Sequence, residues 1–172
     1  MPQNIEVKAR VSDVRLLLKN IAALGAKGPE ILVQTDTFYN CPHGRMKLRE
    51  CQGKSSEMVV YLRPDVKGAK TCDYARFPVS DPAHAKTILK ASHGVLGVLE
   101  KKRQLYLIEN TRIHVDEVKG LGNFMELEVV LKNQTQAEGV EIAEKLMAQL
   151  GISKEDLISN AYIDMLQATA KV

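Results

Sequence analysis

Hydrophobic and polar residues alternate along much of this chain, with the period of two that is typical of β-strands. The clearest example covers residues 112–131, which a Gly-Leu-Gly-Asn turn at 120–123 divides into two strands. One face of this hairpin is apolar. The other face is ionisable and carries both signs of charge, with Arg112, His114, Asp116, Glu126 and Glu128. Ordinary surface hairpins also alternate, so the interpretation depends on whether the pattern recurs in other strands.

Further strands are predicted by the same alternation or by runs of β-branched and aromatic residues. They cover residues 2–11, 31–40, 45–51, 58–63, 72–79 and 95–109. With the hairpin they make about eight strands, most of them joined by short turns. A largely antiparallel sheet is therefore expected. Lys67 and Lys70 fall in the predicted loop 65–70, where both are ordinary loop lysines by default.

Four or five helices are predicted from apolar stripes and capping residues. Ser12 or Asp13 caps a helix that runs to about residue 24, and Asp81-Pro82 begins another that ends near residue 92. A capping box at 135–138 begins a third, which ends at Gly151. A short helix follows residue 153, and residues 160–168 form a last amphipathic one.

Length and composition predict one domain covering residues 1–172, large enough for a core without disulfides. No apolar run approaches a membrane span, and the first ten residues lack the apolar centre of a signal peptide. The three cysteines, Cys41, Cys51 and Cys72, form no metal or disulfide pattern and are interpreted as inert thiols in a reducing, cytoplasmic environment. A net charge of +3 is too weak to indicate a nucleic-acid partner. Oligomeric state, including a homodimer, stays open.

The charged strand faces are the observation that bears on function. Apolar strand faces and helix stripes must pack on one another, so the charged faces look either to water or into a closed barrel. The acids are Glu6, Asp116, Glu126 and Glu128, and the bases are Lys8, Lys47, Arg49, Arg63, Lys101, Arg103 and Arg112. A charged interior is costly unless the charges pair or hold a ligand. Cations suit phosphate and clustered carboxylates suit Mg²⁺ or Mn²⁺, which together predict a metal–triphosphate site.

Other familiar chemistries lack their motifs. There is no glycine-rich phosphate loop, no nucleophile elbow and no zinc spacing among His43, His84, His93 and His114. Each charged pair, considered alone, could equally well be an ordinary strand edge exposed to solvent. Asp116 would then stabilise the turn at 120–123, His114 would be an ordered hydrogen-bonding residue, and Tyr39 a packed rim tyrosine. The recurrence over six strands favours the barrel.

Several segments together resemble the CYTH group of triphosphate tunnel metalloenzymes, which includes class IV adenylyl cyclases, thiamine triphosphatases and inorganic triphosphatases. They are NIEVKAR, QTDTFYN, GRMKLRE, YLRPD, KKRQLY, RIHVDEVKGLGNFMELE and SNAYIDML. The resemblance extends over nearly the whole chain. It implies an α+β fold in which an eight-stranded antiparallel barrel forms a tunnel with helices packed outside, and a triphosphate bound with Mg²⁺ or Mn²⁺.

The resemblance also implies roles for individual residues. Glu6 and Lys8 match the last two positions of an E-x-E-x-K signature, whose first acid is Asn4 here. Leu62 stands where many members have lysine, and Arg63, or Lys70 from the following loop, would substitute for it. The metal ligands expected are Glu6, Asp116, Glu126 and Glu128. The phosphate ligands expected are Lys8, Lys47, Arg49, Arg63, Lys101, Arg103 and Arg112, with Asp116, Lys8 and Arg49 as catalytic residues.

The expected activity is metal-dependent hydrolysis of a triphosphate, either inorganic tripolyphosphate or a small organic or nucleoside triphosphate. Two alternatives stay open. The first is cyclisation of ATP to cyclic AMP, which needs a base-binding pocket that the sequence does not reveal. The second is a non-catalytic polyphosphate- or nucleotide-binding module, which Asn4 and Leu62 favour. The partner in every case is a small-molecule triphosphate, with no membrane or nucleic acid.

Overall fold

Eight antiparallel strands close into a barrel in the computed structural model, which describes residues 1–171. The strands are β1 (Gln3–Arg10), β2 (Lys27–Tyr39), β3 (Arg45–Cys51), β4 (Ser56–Leu62), β5 (Lys70–Val79), β6 (Val95–Ile108), β7 (Thr111–Val118) and β8 (Gly122–Val130). Their order around the barrel is β1-β5-β4-β3-β2-β6-β7-β8, and β8 pairs with β1 to close it. The predicted antiparallel barrel is confirmed.

The register of the strands brings charged residues from distant parts of the chain opposite one another. Lys8 on β1 faces Glu126 on β8, and Glu6 faces Glu128. Asp116 on β7 faces Arg103 on the neighbouring strand β6. Because alternate residues of a strand point to the same face, these pairings place one charged face of each strand inside the barrel.

Helices α1 (Val14–Ala23) and α3 (Gln136–Leu150) cover the outer faces of β1, β7 and β8. The apolar residues that alternate with the inward charges pack against them, including Ile5, Val7 and Leu127, all fully buried. Helix α3 comes very close to the sheet at Gly139, where an added Cβ would lie 2.7 Å from Ile5. The main core therefore lies outside the barrel, between the sheet and these helices.

One end of the barrel is closed by α4 (Tyr162–Ala170). Ala161, Tyr162 and Ile163 pack there in an apolar cluster with Phe38, Leu99, Val118 and Phe124. We call this end the closed end. Helix α2 (Pro82–His93) packs against β2 and β3, and a short 3-10 turn, Lys154–Asp156, precedes α4. No helix within residues 1–171 is both long and apolar enough to cross a membrane.

The sequence-based boundaries were wrong in places. Strand β2 begins at Lys27 rather than residue 31, because it pairs with the long strand β6 as far as Leu107. Strand β5 begins at Lys70, which pairs with Glu6 and is buried, so this lysine is not an ordinary loop residue. Both errors arose where pairing with a neighbouring strand extended a segment beyond its local pattern.

Candidate functional site

A cavity of about 450 Å³ occupies the barrel interior. Of the eleven residues predicted for the site, ten line it: Glu6, Lys8, Lys47, Arg49, Arg63, Lys101, Arg103, Arg112, Glu126 and Glu128. The eleventh, Asp116, is fully buried and is not among the described residues that line the cavity. Charged residues of five strands, β1, β3, β6, β7 and β8, and Arg63 just after β4 thus converge on one internal space.

Strands β2, β3 and β6 form a basic wall organised around Asp36. Its carboxylate accepts a 2.7 Å hydrogen bond from Lys47 Nζ and two from Arg49, at 2.7 and 2.8 Å. Lys101 Nζ lies 4.0 Å away. Burial alone would raise the pKa of Asp36, but the charges of Arg49 and Lys47 hold it well below its usual range. Asp36 therefore stays ionised and anchors three cations beside the cavity.

These cations are not all equally protonated. Burial, together with the nearby charge of Arg49, lowers the pKa of Lys47 to about 8, although Asp36 is in contact. Burial and the charge of Arg103 lower the pKa of Lys101 well below its ordinary value. Desolvation and like charges thus outweigh the attraction of the carboxylates. An anionic ligand in the cavity would reverse that balance.

Arg103 connects the basic wall to the acidic one. Its guanidinium donates to both oxygens of Asp116, at 2.6 Å each, and its Nη2 also donates to Glu126 Oε2 at 3.0 Å. Burial alone would raise the pKa of Asp116, but the charges of Arg103 and Lys101 hold it low. Asp116 thus orients Arg103, and it makes no hydrogen bond to the 120–123 turn among the contacts described.

Strands β1, β7 and β8 form the acidic wall. Ligand atoms of His114, Glu126 and Glu128 lie within 4.8 Å of one another. Burial raises the pKa of Glu6 to about 7, and the charge of Glu126 adds to this shift. Burial and the charge of Arg103 lower the pKa of His114, so its imidazole is neutral and has a free lone pair. Three carboxylates and an imidazole therefore meet in a region where little water reaches them.

Several polar atoms of this wall suit a divalent cation. Asn4 Oδ1, Glu6 Oε1 and His114 Nδ1 are buried and have no hydrogen-bond partner among the described residues. Such atoms are costly unless something satisfies them. Oxygen atoms of this kind are the preferred ligands of Mg²⁺ and Mn²⁺, and Mn²⁺, a transition metal, accepts a nitrogen donor more readily than Mg²⁺ does. The residues present therefore fit the metal that the resemblance implied.

Two further predicted phosphate ligands, Arg63 and Arg112, pair with residues of the acidic wall. Arg63 has a side chain that is 1% exposed, with its Nε 3.4 Å from Glu6 Oε1, and its Nη1 donates to the Ser159 carbonyl at 3.0 Å. Arg112 Nε donates to Glu128 Oε2 at 2.7 Å. Both line the cavity, so they remain candidates for phosphate. In this structure, however, they also hold the acidic wall in place.

Sequence reasoning missed Asp36, Tyr162 and the inward position of Gln34. Leu32, Gln34, Asp36 and Phe38 are alternate residues of β2 and share one face. This spacing could have shown that Asp36 points into the barrel. Nothing local marked Tyr162, because it lies on a helix and reaches the cavity only through packing at the closed end. The inert interpretation of Cys72 fits its surroundings, since burial raises the pKa of its thiol to about 12.

At the other end, which we call the mouth, the cavity is ringed by charged and polar residues. Lys54 donates to Glu30, and Arg76 lies 4.0 Å from Glu57. Both pairs line the cavity entrance together with Ser55. Because α4 covers the closed end, an anion would enter by this polar rim.

Comparison with known proteins agrees with this architecture. The chain matches the CYTH domain over residues 2–162. It is 24% identical over 171 residues to a Methanocaldococcus jannaschii protein named "Putative adenylate cyclase", covering 94% of this chain and 97% of that one. The structure resembles the PH1012 protein of Pyrococcus horikoshii, with a TM-score of 0.85 and 28% identity over 94% of this chain and 98% of that one.

A more distant structure is HpAC1 from Hippeastrum, described as revealing a dominant triphosphatase activity. Its TM-score is 0.66 at 15% identity, over 96% of each chain. At this identity the likeness supports a shared fold alone. The family match covers nearly all of the sequence, and the barrel, the charged interior and the helices agree with it. The chain therefore belongs to the CYTH domain family, whose enzymes are triphosphatases or adenylyl cyclases.

Proposed function

We propose that this protein is a metal-dependent triphosphatase that hydrolyses inorganic tripolyphosphate or a small organic triphosphate inside the barrel. One observation carries the proposal. His114, Glu126 and Glu128, whose ligand atoms are close enough to share a metal ion, lie in the same cavity as a wall of lysines and arginines. A chelated triphosphate is the ligand that needs both kinds of wall at once.

Each wall has a distinct task. Lys47, Arg49, Lys101 and Arg103 bind phosphate oxygens and offset the charge that builds up in the transition state. Glu126, Glu128 and His114 hold the cation, with Glu6 beside them. When bound, the cation supplies charge neutralisation and a water of lowered pKa. Lys8, which lies 3.2 Å from Glu126, stands between the two walls and contacts the phosphate nearest the closed end.

In the reaction a water oxygen attacks the terminal phosphorus, and the bond from that phosphorus to the bridging oxygen breaks. The departing diphosphate keeps the electron pair. Lys47, whose pKa is about 8, is suited to donate a proton to it. Asp116 is sealed beneath Arg103, so we assign it to positioning rather than to orienting water. Glu6 Oε1, a buried carboxylate oxygen without a hydrogen-bond partner, is our candidate for accepting the proton of the water.

The test is release of phosphate from tripolyphosphate, ATP and thiamine triphosphate with Mg²⁺ or Mn²⁺. Glu126→Gln should abolish the response to metal, and Arg49→Ala should raise KM by roughly tenfold or more, because it removes a buried bidentate cation. The matched controls are Glu117→Gln on β7 and Lys102→Ala on β6, both exposed on the outer face. No turnover of any triphosphate with either metal would defeat the hydrolase assignment.

Adenylyl cyclisation is the second candidate, and the name of the M. jannaschii relative favours it. The 3′-hydroxyl of ATP would replace water as the nucleophile, and pyrophosphate would leave. The adenine would have to bind near the mouth, where the Glu30–Lys54 and Glu57–Arg76 pairs offer polar groups. Chromatography of the products from ATP separates the two reactions, since only cyclisation yields cyclic AMP.

A further inference from the structure

Tyr162 occupies a central place at the closed end of the cavity. It is the first residue of α4, is 5% exposed and lines the cavity. Its ring packs on Phe124 with centroids 4.9 Å apart and planes tilted by 50°. Although it lies far along the chain from the strands, it contacts the charged groups of three of them.

Its hydroxyl donates a 3.0 Å hydrogen bond to Asp116 Oδ2. Asp116 in turn receives both 2.6 Å bonds from Arg103, and Arg103 reaches Glu126 at 3.0 Å. A continuous series of hydrogen bonds thus runs from the helix to the acidic wall. Guanidinium groups act on phosphate through a planar, directional fork, so the orientation of Arg103 depends on how firmly Asp116 is held.

The face of the same ring lies next to two ammonium groups. Lys8 Nζ is 4.2 Å from the ring centroid and Lys101 Nζ is 5.5 Å from it. A cation over an aromatic ring is attracted by the ring's quadrupole, and more strongly where water is excluded. Lysine side chains are flexible point charges, so a rigid aromatic support determines where these two cations come to rest.

Three ties fix α4, and therefore Tyr162, to the barrel. Arg45 Nη2 donates to Asp164 at 2.6 Å, and Gln167 Nε2 donates to the Leu96 carbonyl at 3.0 Å. Arg63 Nη1 donates to the carbonyl of Ser159, just before the helix, at 3.0 Å. The ties through Arg45 and Gln167 lie outside the cavity, so the position of the tyrosine does not depend on the cavity residues alone.

We propose that Tyr162 is a positioning residue for the phosphate-binding cations. Its hydroxyl orients Arg103 through Asp116, and its ring sets the positions of Lys8 and Lys101. The inference rests on the proposed function, because it assumes that these cations bind the triphosphate. It adds a helix residue, which contacts no reacting atom itself, to a site built from strands.

Separate variants test the role of the hydroxyl and the role of the aromatic ring. Tyr162→Phe keeps the ring and removes the hydroxyl, so kcat for tripolyphosphate should fall about tenfold while Kd changes less than about threefold. Tyr162→Leu also removes the ring and should raise Kd at least about tenfold. The matched control is Tyr106→Phe, which removes a hydroxyl that donates to Gln104 at 2.9 Å outside the cavity. Both kcat and Kd of this control should be unchanged.

If Tyr162→Phe keeps the wild-type kcat and only its melting temperature falls, the hydroxyl does not orient Arg103 for the reaction. The tyrosine would then have a merely structural role. An unchanged Kd in folded Tyr162→Leu would show that the ring does not position Lys8 and Lys101 for binding. Calorimetric Kd values keep the inference separate from the proposed function. If the wild type binds tripolyphosphate without hydrolysing it, the hydrolase assignment fails, while a raised Kd in Tyr162→Leu would still support the role of the ring.

Discussion

Arg103 and Asp116 form a bidentate ion pair that is almost wholly buried, with both hydrogen bonds at 2.6 Å. They face each other across β6 and β7 in the barrel register. A buried pair of this kind is costly to break, because the partner that remains keeps an uncompensated charge. The pair therefore contributes both to the stability of the barrel and to the geometry of the cavity.

Asp116→Asn should lower the free energy of unfolding by about 3–5 kcal/mol, because Arg103 loses its counter-charge in a buried setting. Chemical denaturation measures the change. The control is Glu100→Gln, which breaks the exposed pair with Lys119 and should cost under about 1 kcal/mol. Equal effects of the two substitutions would contradict the importance given to the buried pair.

His114→Asn should change the metal preference. His114 is the one nitrogen donor in the group with Glu126 and Glu128, and the transition metal Mn²⁺ accepts a nitrogen donor more readily than Mg²⁺, which takes oxygen ligands. We expect the affinity for Mn²⁺ to fall about tenfold and that for Mg²⁺ to change little. Calorimetric titration of each metal measures both values. His84→Asn, at an exposed position on α2, is the control, and an equal loss for both metals would remove His114 from the ligand set.

Binding of tripolyphosphate should take up protons near pH 8 through Lys47. Its pKa is about 8 in the free protein, lowered first by burial and then by Arg49, and a bound polyanion raises it again. The free lysine is therefore partly neutral at pH 8 and becomes fully charged on binding. Affinity should then fall as the pH rises through 8.

Calorimetry in buffers of different ionisation enthalpy measures this uptake. Lys47→Met should take up roughly half a proton less than Lys102→Met, whose lysine lies on the outer face of β6. Protons belonging to the ligand contribute equally to both variants, so the difference isolates Lys47. Identical uptake by the two would show that Lys47 is already charged before binding.

Asn4→Glu should strengthen metal binding and weaken the metal-free protein. Asn4 is 3% exposed, and its Oδ1 has no described hydrogen-bond partner. A carboxylate there adds a ligand beside Glu6, and it also adds an uncompensated buried charge. We expect Mn²⁺ affinity to rise about tenfold while the melting temperature without metal falls by several degrees. Asn4→Gln, which adds length without charge, should do neither; if it matches Asn4→Glu, charge is not the cause.

Much of the barrel could be predicted because its strands alternate so strictly. In the segment 112–131 the turn, the apolar face and the charged face were all legible from local order, and the structure confirms the two strands there. Lys47 and Arg49, two residues apart on β3, were correctly assigned to one face. Period-two alternation requires only neighbouring residues to be known, so it survives without any tertiary information.

The details of the site depended on register and on long-range packing. Asp116 is an acid on the same strand face as the residues that line the cavity, yet Arg103 and Tyr162 enclose it. Asp36 became the anchor of the basic wall only because β2 lies between β3 and β6. Neither relationship is encoded within a single strand.

The sequence by itself determined most of the charged residues that face inward, and it predicted from them a triphosphate and its metal. Tertiary structure decided which of those charges neutralise one another and which remain available to a ligand. Sequence could not decide this because hydrogen-bond distances and desolvation depend on which strands become neighbours. The position of Tyr162, carried by a helix from the far end of the chain, depends on the same cause.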